Sequence, residues 1–266
     1  MDPKRVSKPS SSTCAVRRLP AAVSNQQGAF RFSPVGRVSY STGSSSSCPA
    51  PLVEVRQRTP TILCIGDSLT SGIRNSRCSY PEELQAMLDL EGIDMKVWNG
   101  GNWGDRSDQV LQRLPSTLQS VLSKGGRPVV VLILAGTNDL LQLPPTTMQL
   151  ARSISGIVAR VQEICETASR AAFHPHVGIL SLPPLLCRDE DRLKLNQCLR
   201  LLPESARPMP GAGQRFFVDL ESVDAYLSTD GVHYSREGYS EFAKRVLQSI
   251  LPMLKADSAA KARLAT

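Results

Sequence analysis

An α/β fold, a three-layer α/β/α sandwich around a parallel sheet of five strands, is what this sequence predicts, and three observations carry the prediction. From Pro60 onward, short apolar runs alternate with amphipathic helical patterns, which is how parallel strands joined by crossover helices read in one dimension. The run PVVVLILAG, from Pro128, is apolar without interruption, as a strand covered on both faces must be. The helical stretches repeat apolar residues at spacings of three and four, so each has one face to bury.

Taken in order, TILCIGD (61–67) reads as the first strand. YPEELQAMLDLEG follows as a helix that starts near Pro81 and stops at Gly92, since proline suits a first turn and glycine a helix end. IDMKVWN (93–99) is a second strand. The next helix runs from about Asp105 to Lys124, where Gly125 and Gly126 stop it, and Pro115 is expected to kink or divide it. PVVVLILAG is the third strand. Ile154, Ile157, Val158, Val161, Ile164 and Ala168 then mark the buried face of a helix from about Thr146 to Ser169. HVGILSL and RFFVDL supply strands four and five, with a charged run and a short helical piece between them in 185–210. Tyr239, Phe242, Val246, Ile250 and Leu254 form the stripe of a last helix.

The 266 residues divide unevenly in composition. Residues 1–59 are rich in Ser, Pro and Arg and carry nine Lys/Arg against two acids, which accounts for the whole formal charge of +7. This segment is expected to be a disordered extension, with the Arg-rich, Ser-rich, acid-poor character of an organelle transit peptide. Residues 60–256 form one domain, and 257–266 a C-terminal tail. With basic and acidic residues equal beyond position 59, the body gives no reason to expect a nucleic-acid groove. No run approaches the roughly 20 apolar residues of a membrane span. Seven irregularly spaced cysteines without a C-x-x-C pair argue against a disulfide framework or zinc site. Cys64 and Cys165 read as small core hydrophobes. Reduced thiols point to an intracellular protein, cytoplasmic or, through the extension, organellar; oligomeric state is left open.

In an open parallel sheet, ligands sit beyond the carboxyl ends of the strands, so the strand-to-helix loops are where chemistry belongs. The first loop is GDSLTSG, with Ser68 exposed at the sheet edge between Gly66 and Gly72. The second is NGGNWGD, with three glycines and no G-x-G-x-x-G fingerprint; taken alone it reads as turn chemistry, with Asp105 capping the following helix. AGTNDL presents Asn138, and TDGVHYS presents Asp230 and His233 three residues apart. Turn and cap chemistry accounts for each loop taken alone. Together they are chemically complementary. A serine hydroxyl needs a base to take its proton, and the base needs a third group to fix its tautomer, so Ser68, His233 and Asp230 can form a triad. Backbone N–H groups of Ser68 and Gly104 and the side chain of Asn138 can serve as oxyanion donors. His174 and His176 precede the fourth strand and fall at the opposite edge, which leaves His233 as the histidine able to serve Ser68.

With these blocks in place the chain resembles the SGNH hydrolases, also called GDSL esterases and lipases. The resemblance spans 61–254 and rests on GDSLT with Ser68, NWGD with Gly104, GTND with Asn138 and DGVH with Asp230 and His233. It implies a flavodoxin-like sheet in strand order 2-1-3-4-5, hydrolysis of carboxylic esters through an acyl-serine intermediate, and no metal or organic cofactor. The substrate is then a small-molecule ester, with short or medium acyl groups favoured because no long apolar helix or aromatic cluster points to an interfacial lipase. Two alternatives share the fold: a carbohydrate or metabolite deacetylase using the same residues, and a catalytically silent member that binds an acylated ligand. Trp103 is open to two readings, a pocket wall or a residue tucked under its loop. The 185–210 segment is open as a wall or lid.

Overall fold

The computed structural model describes residues 58–72, 78–142, 147–205, 213–221, 223 and 227–264. The expectations made for residues 1–57, including the disordered extension, lie outside them. Strands β1 (Thr59–Gly66), β2 (Lys96–Gly101), β3 (Gly126–Leu134), β4 (His176–Leu180) and β5 (Arg215–Val218) alternate with helices α1 (Ser68–Ser71), α2 (Tyr80–Leu90), α3 (Ser107–Ser123), α4 (Thr137–Gln142), α5 (Thr147–Ser169), α6 (Asp189–Arg200), α7 (Leu202–Ser205) and α8 (Arg236–Leu264). The five strands form one sheet in the order β2-β1-β3-β4-β5 with every pairing parallel. This is the α/β architecture and strand order that the sequence and its resemblance led us to expect.

Local chemistry starts and stops these elements near where the sequence placed them. Ser79 accepts the Glu82 N–H through its hydroxyl, and Pro81 occupies the first turn of α2. The chain then turns at Gly92, whose φ of 67° is a left-handed value glycine adopts freely. Consecutive residues of β1 and β3, Ile62 to Ile65 and Val130 to Leu134, are all buried, so helices cover both faces of the sheet. On one helix pair, Tyr80 of α2 stacks on Phe242 of α8 at 4.3 Å between ring centroids, worth about 1 kcal/mol beyond area burial. On the other, α3 packs against α5. Buried Cys64 and Cys165 lie in this core, and burial pushes both thiols up to about 12, so neither is a thiolate at neutral pH.

Four expectations are corrected. Helix α3 runs undivided through Pro115. The proline sits on the exposed face, where the Leu111 carbonyl that it leaves without a donor can turn to water. Gly100 and Gly101 belong to β2 and not to the loop after it. A Cβ on Gly101 would collide with the backbone of Ser71, so glycine there lets α1 lie directly against the strand end. Asp105 does not cap α3. Arg106 occupies that position and its N–H donates to the Gln109 side chain at 3.0 Å. Helix α8, expected only as a stripe to Leu254, continues to Leu264.

Candidate active site

The carboxyl ends of β1, β2 and β3 lie side by side, which brings their loops to one edge of the sheet. Ser68 opens the short helix α1 and is buried, not exposed as expected, and the preceding Asp67 accepts the Leu69 N–H at 2.9 Å. From the far end of the chain, His233 places Nε2 2.8 Å from the Ser68 hydroxyl oxygen. Its Nδ1 lies 2.6 Å from an Asp230 carboxylate oxygen. The structure thus brings together three residues that are up to 165 positions apart.

The loop that carries Asp230 and His233 is tied down by its own backbone. Leu227 and Tyr234 form an isolated antiparallel bridge, and the Ser228 N–H donates to the His233 carbonyl at 2.7 Å. Gly231, at φ 72°, completes the turn, and its carbonyl accepts the Leu186 N–H at 2.8 Å. The Tyr234 hydroxyl donates to the Pro184 carbonyl at 2.7 Å. Leu186, at the start of the segment expected as a wall or lid, is therefore linked to the histidine loop and stands 77% exposed beside it.

Two carboxyl groups near His233 are pushed in opposite directions. Partial burial raises the Asp230 pKa, but hydrogen bonds outweigh it: the His233 N–H, the Ser228 hydroxyl, the His233 ring and the Val232 N–H together hold the carboxyl well below the usual range. Asp67 is completely buried, and burial pushes it from 3.8 up to about 6, opposed by the Leu69 N–H and by the positive charge of a protonated His233 nearby. Because its folded pKa is the raised one, Asp67 lowers stability as pH rises from 3.8 to about 6 and adds no further pH dependence above that.

The second loop is a four-residue turn in which the Asp105 N–H donates to the Asn102 carbonyl at 3.3 Å, with Gly104 in third place at φ 79°. That conformation favours glycine. Asn138, from α4, donates one side-chain N–H to the Asp105 carbonyl at 2.9 Å, which leaves its second N–H as a directed donor. Trp103, in second place, stacks on the His233 ring. Serine, histidine and carboxylate in line, with amide donors close by, can activate an oxygen nucleophile and stabilise an oxyanion. Among the described residues no group of three or more His, Cys, Asp or Glu could hold a metal ion.

Several supporting residues were not found by sequence reasoning. Arg113, in the middle of α3, donates to the Gly66 carbonyl at 2.5 Å, the Gly100 carbonyl at 2.6 Å and the Asp105 carboxylate at 2.5 Å. It thereby ties the ends of β1 and β2 to the turn holding Gly104. Asp139 is buried and accepts from the Ser107 N–H and hydroxyl and from Arg160, so α3, α4 and α5 are pinned beside Asn138. Nothing in the local spacing of these residues signals such contacts. Arg113→Ala removes the ion-pair partner of the buried Asp105 carboxylate, which keeps only the Asn102 side chain as a donor among the described residues, and takes one donor each from the Gly66 and Gly100 carbonyls, so it is expected to cost about 3 kcal/mol of stability, read as a shift in the urea unfolding midpoint.

The comparisons with known proteins agree with the architecture. No curated protein sequence matches the chain. Among solved structures, it is similar to a carbohydrate acetylesterase family member from Sinorhizobium meliloti, with 22% identity, a TM-score of 0.55 and coverage of 74% of this chain and 99% of that one. It is also similar to the psychrotrophic esterase EstA from Pseudoalteromonas sp., with 19% identity, a TM-score of 0.53 and coverage of 73% and 98%. A third is the lipase/acylhydrolase from Enterococcus faecalis, with 19% identity, a TM-score of 0.52 and coverage of 72% and 95%. At these identities the likeness is one of fold. The family-level match is direct, since the GDSL-like Lipase/Acylhydrolase family profile aligns with residues 64–240. That stretch holds all four loops described above, and the chain belongs to the GDSL-like lipase/acylhydrolase family.

Proposed function

We propose that the protein is a serine esterase that hydrolyses carboxylic esters of small molecules, with short or medium acyl groups favoured. The observation that carries this reading is the continuous line from Asp230 through His233 to the Ser68 hydroxyl, with contacts of 2.6 Å and 2.8 Å. Ser68 Oγ attacks the ester carbonyl carbon while His233 Nε2 takes its proton, and Asp230 holds the Nδ1–H tautomer. The oxyanion that forms accepts from the Ser68 and Gly104 backbone N–H groups and from the free N–H of Asn138. Collapse breaks the bond to the alcohol, which leaves with the proton from His233. Water, deprotonated by the same imidazole, then attacks the acyl-serine and releases the acid.

The geometry at Asn138 supports its role, since the hydrogen bond to the Asp105 carbonyl fixes the amide plane before substrate arrives. Asn138→Ala is expected to lower kcat by roughly 10²–10³ with little change in KM, measured by stopped-time hydrolysis of p-nitrophenyl acetate. An effect confined to KM would remove Asn138 from the oxyanion site.

The test of the whole reading is hydrolysis of p-nitrophenyl esters from acetate to long acyl chains, wild type beside Ser68→Ala, in EDTA. Turnover by wild type that falls to background in the variant upholds it. Equal rates for the two proteins would overturn it. The same assay run on acetylated sugars separates a deacetylase from an esterase of aliphatic alcohols, and inactivity on every ester together with unlabelled Ser68 after a fluorophosphonate would leave the acyl-binding alternative.

A further inference from the structure

We propose that Trp103 is a positioning residue for His233, its indole lying over one face of the imidazole and holding the ring in the plane that joins Asp230 to Ser68. The role rests on the esterase reading above, but a separate observation carries it. The two ring centroids are 4.9 Å apart and the planes differ by 26°.

The need for such a contact follows from the hydrogen bonds themselves. His233 is held by Asp230 at one ring nitrogen and Ser68 at the other. A ring N–H and a ring-nitrogen lone pair both point outward in the imidazole plane, so bonds at the two nitrogens hold the ring from two sides. They set the direction of the line between the nitrogens, but tipping the ring about that line strains neither. A flat partner on the ring face resists that tip, and the indole is such a partner. It also displaces water from the covered face of a side chain that is 21% exposed.

The indole has an electrostatic effect as well. When His233 takes the Ser68 proton the imidazole becomes a cation, and the negative face of an indole attracts a cation more than a neutral ring. The contact is therefore stronger in the charged state than in the resting one, which is the condition for assisting the chemical step. Its placement is built into the second loop. The Asn102 N–H donates to the Gly66 carbonyl at 3.0 Å and the Asn102 side chain to Asp105 at 2.6 Å, fixing both ends of the turn. One four-residue turn thus sets Trp103 against the histidine and Gly104 beside it.

The test uses the full-length protein with Trp103→Ala, Trp103→Leu and Trp103→Phe, assayed on p-nitrophenyl acetate. Trp103→Ala is expected to lower kcat about 10-fold, the equivalent of about 1.4 kcal/mol, with KM within about twofold of wild type. Trp103→Phe, which keeps an aromatic face, is expected to restore kcat to within about threefold. Trp103→Leu keeps apolar bulk without a π face and stands in for the alanine variant should that one fail to fold; it is expected to lose rate like alanine.

An NMR readout tests the stack independently of activity. With three histidines in the chain, the imidazole C–H signals of His233 are identified by their loss in His233→Ala. They are expected upfield in wild type and Trp103→Phe, shielded by the ring current, and to move downfield in Trp103→Ala or Trp103→Leu. Unmoved signals would overturn the proposal. A KM rise with kcat unchanged would do the same, making Trp103 a wall of the substrate pocket. If wild type hydrolyses none of the p-nitrophenyl esters, the rate of Ser68 labelling by a fluorophosphonate replaces turnover. Labelling about 10-fold slower in Trp103→Ala sustains the role. An equal rate ends it, and no labelling of wild type ends both readings.

Discussion

Ser68→Ala is expected to lower kcat on p-nitrophenyl acetate by roughly 10⁶, His233→Ala by a similar factor, and the double variant by little more than either alone. The reason is geometric. The hydroxyl and the imidazole share one proton across 2.8 Å, so removing either ends the same event and the second removal has nothing left to cost. Losses that multiplied across the two sites would show that they act independently and would end the triad reading. The serine variant should keep its fold, because replacing one hydroxyl leaves His233 bonded to Asp230 and the loop bridge between Leu227 and Tyr234 unchanged. Matched unfolding midpoints for wild type and variant would confirm that the lost rate is chemical.

Asp230→Asn is expected to lower kcat by roughly 10⁴. An asparagine amide placed 2.6 Å from Nδ1 can point its NH₂ at the ring, which turns the acceptor at Nδ1 into a donor and moves the imidazole proton to the nitrogen facing Ser68. That nitrogen can then no longer take the serine proton. The pH dependence of kcat/KM in the wild type follows from the same contacts. Burial raises the Asp230 pKa, but the donors around it hold the carboxyl well below its ordinary value. It therefore stays ionised down into the acid range, and protonation of Asp230 supplies no acid limb to the profile. The sign for stability is that of a depressed carboxyl. Its contribution is complete above the ordinary 3.8 and is lost only as pH falls through the lower folded value. An acid limb that disappeared in Asp230→Asn while turnover survived would assign the titration to Asp230 and overturn this account.

Much of this protein is legible in one dimension. The apolar run Val129 to Leu134 and the three-and-four spacing of Ile154 to Ala168 state their own secondary structure, because the repeat of a strand or a helix is a local property. Strand–helix alternation then leaves few topologies, and all of them place Ser68, Asn138 and His233 at one edge. Boundaries were less legible where a neighbour decided them. Gly100 and Gly101 read as loop residues, yet they extend β2 because α1 needs the space above them. Pro115 read as a break, yet on the exposed side of α3 its missing N–H leaves a carbonyl that can face water.

What the sequence determined by itself is the order and type of the elements, their parallel arrangement and the identity of the chemically able side chains, all consequences of residue type and spacing. Only the tertiary structure decided which of those side chains meet and what supports them. The 2.8 Å approach of His233 to Ser68 is set by how the last loop folds over the sheet edge. The reach of Arg113 to two strand ends, the closure of Asp139 by Ser107 and Arg160, and the stack of Trp103 on His233 depend in the same way on packing between elements. Such contacts depend on distances between segments remote in the chain, and distance is a quantity that periodicity and composition do not contain.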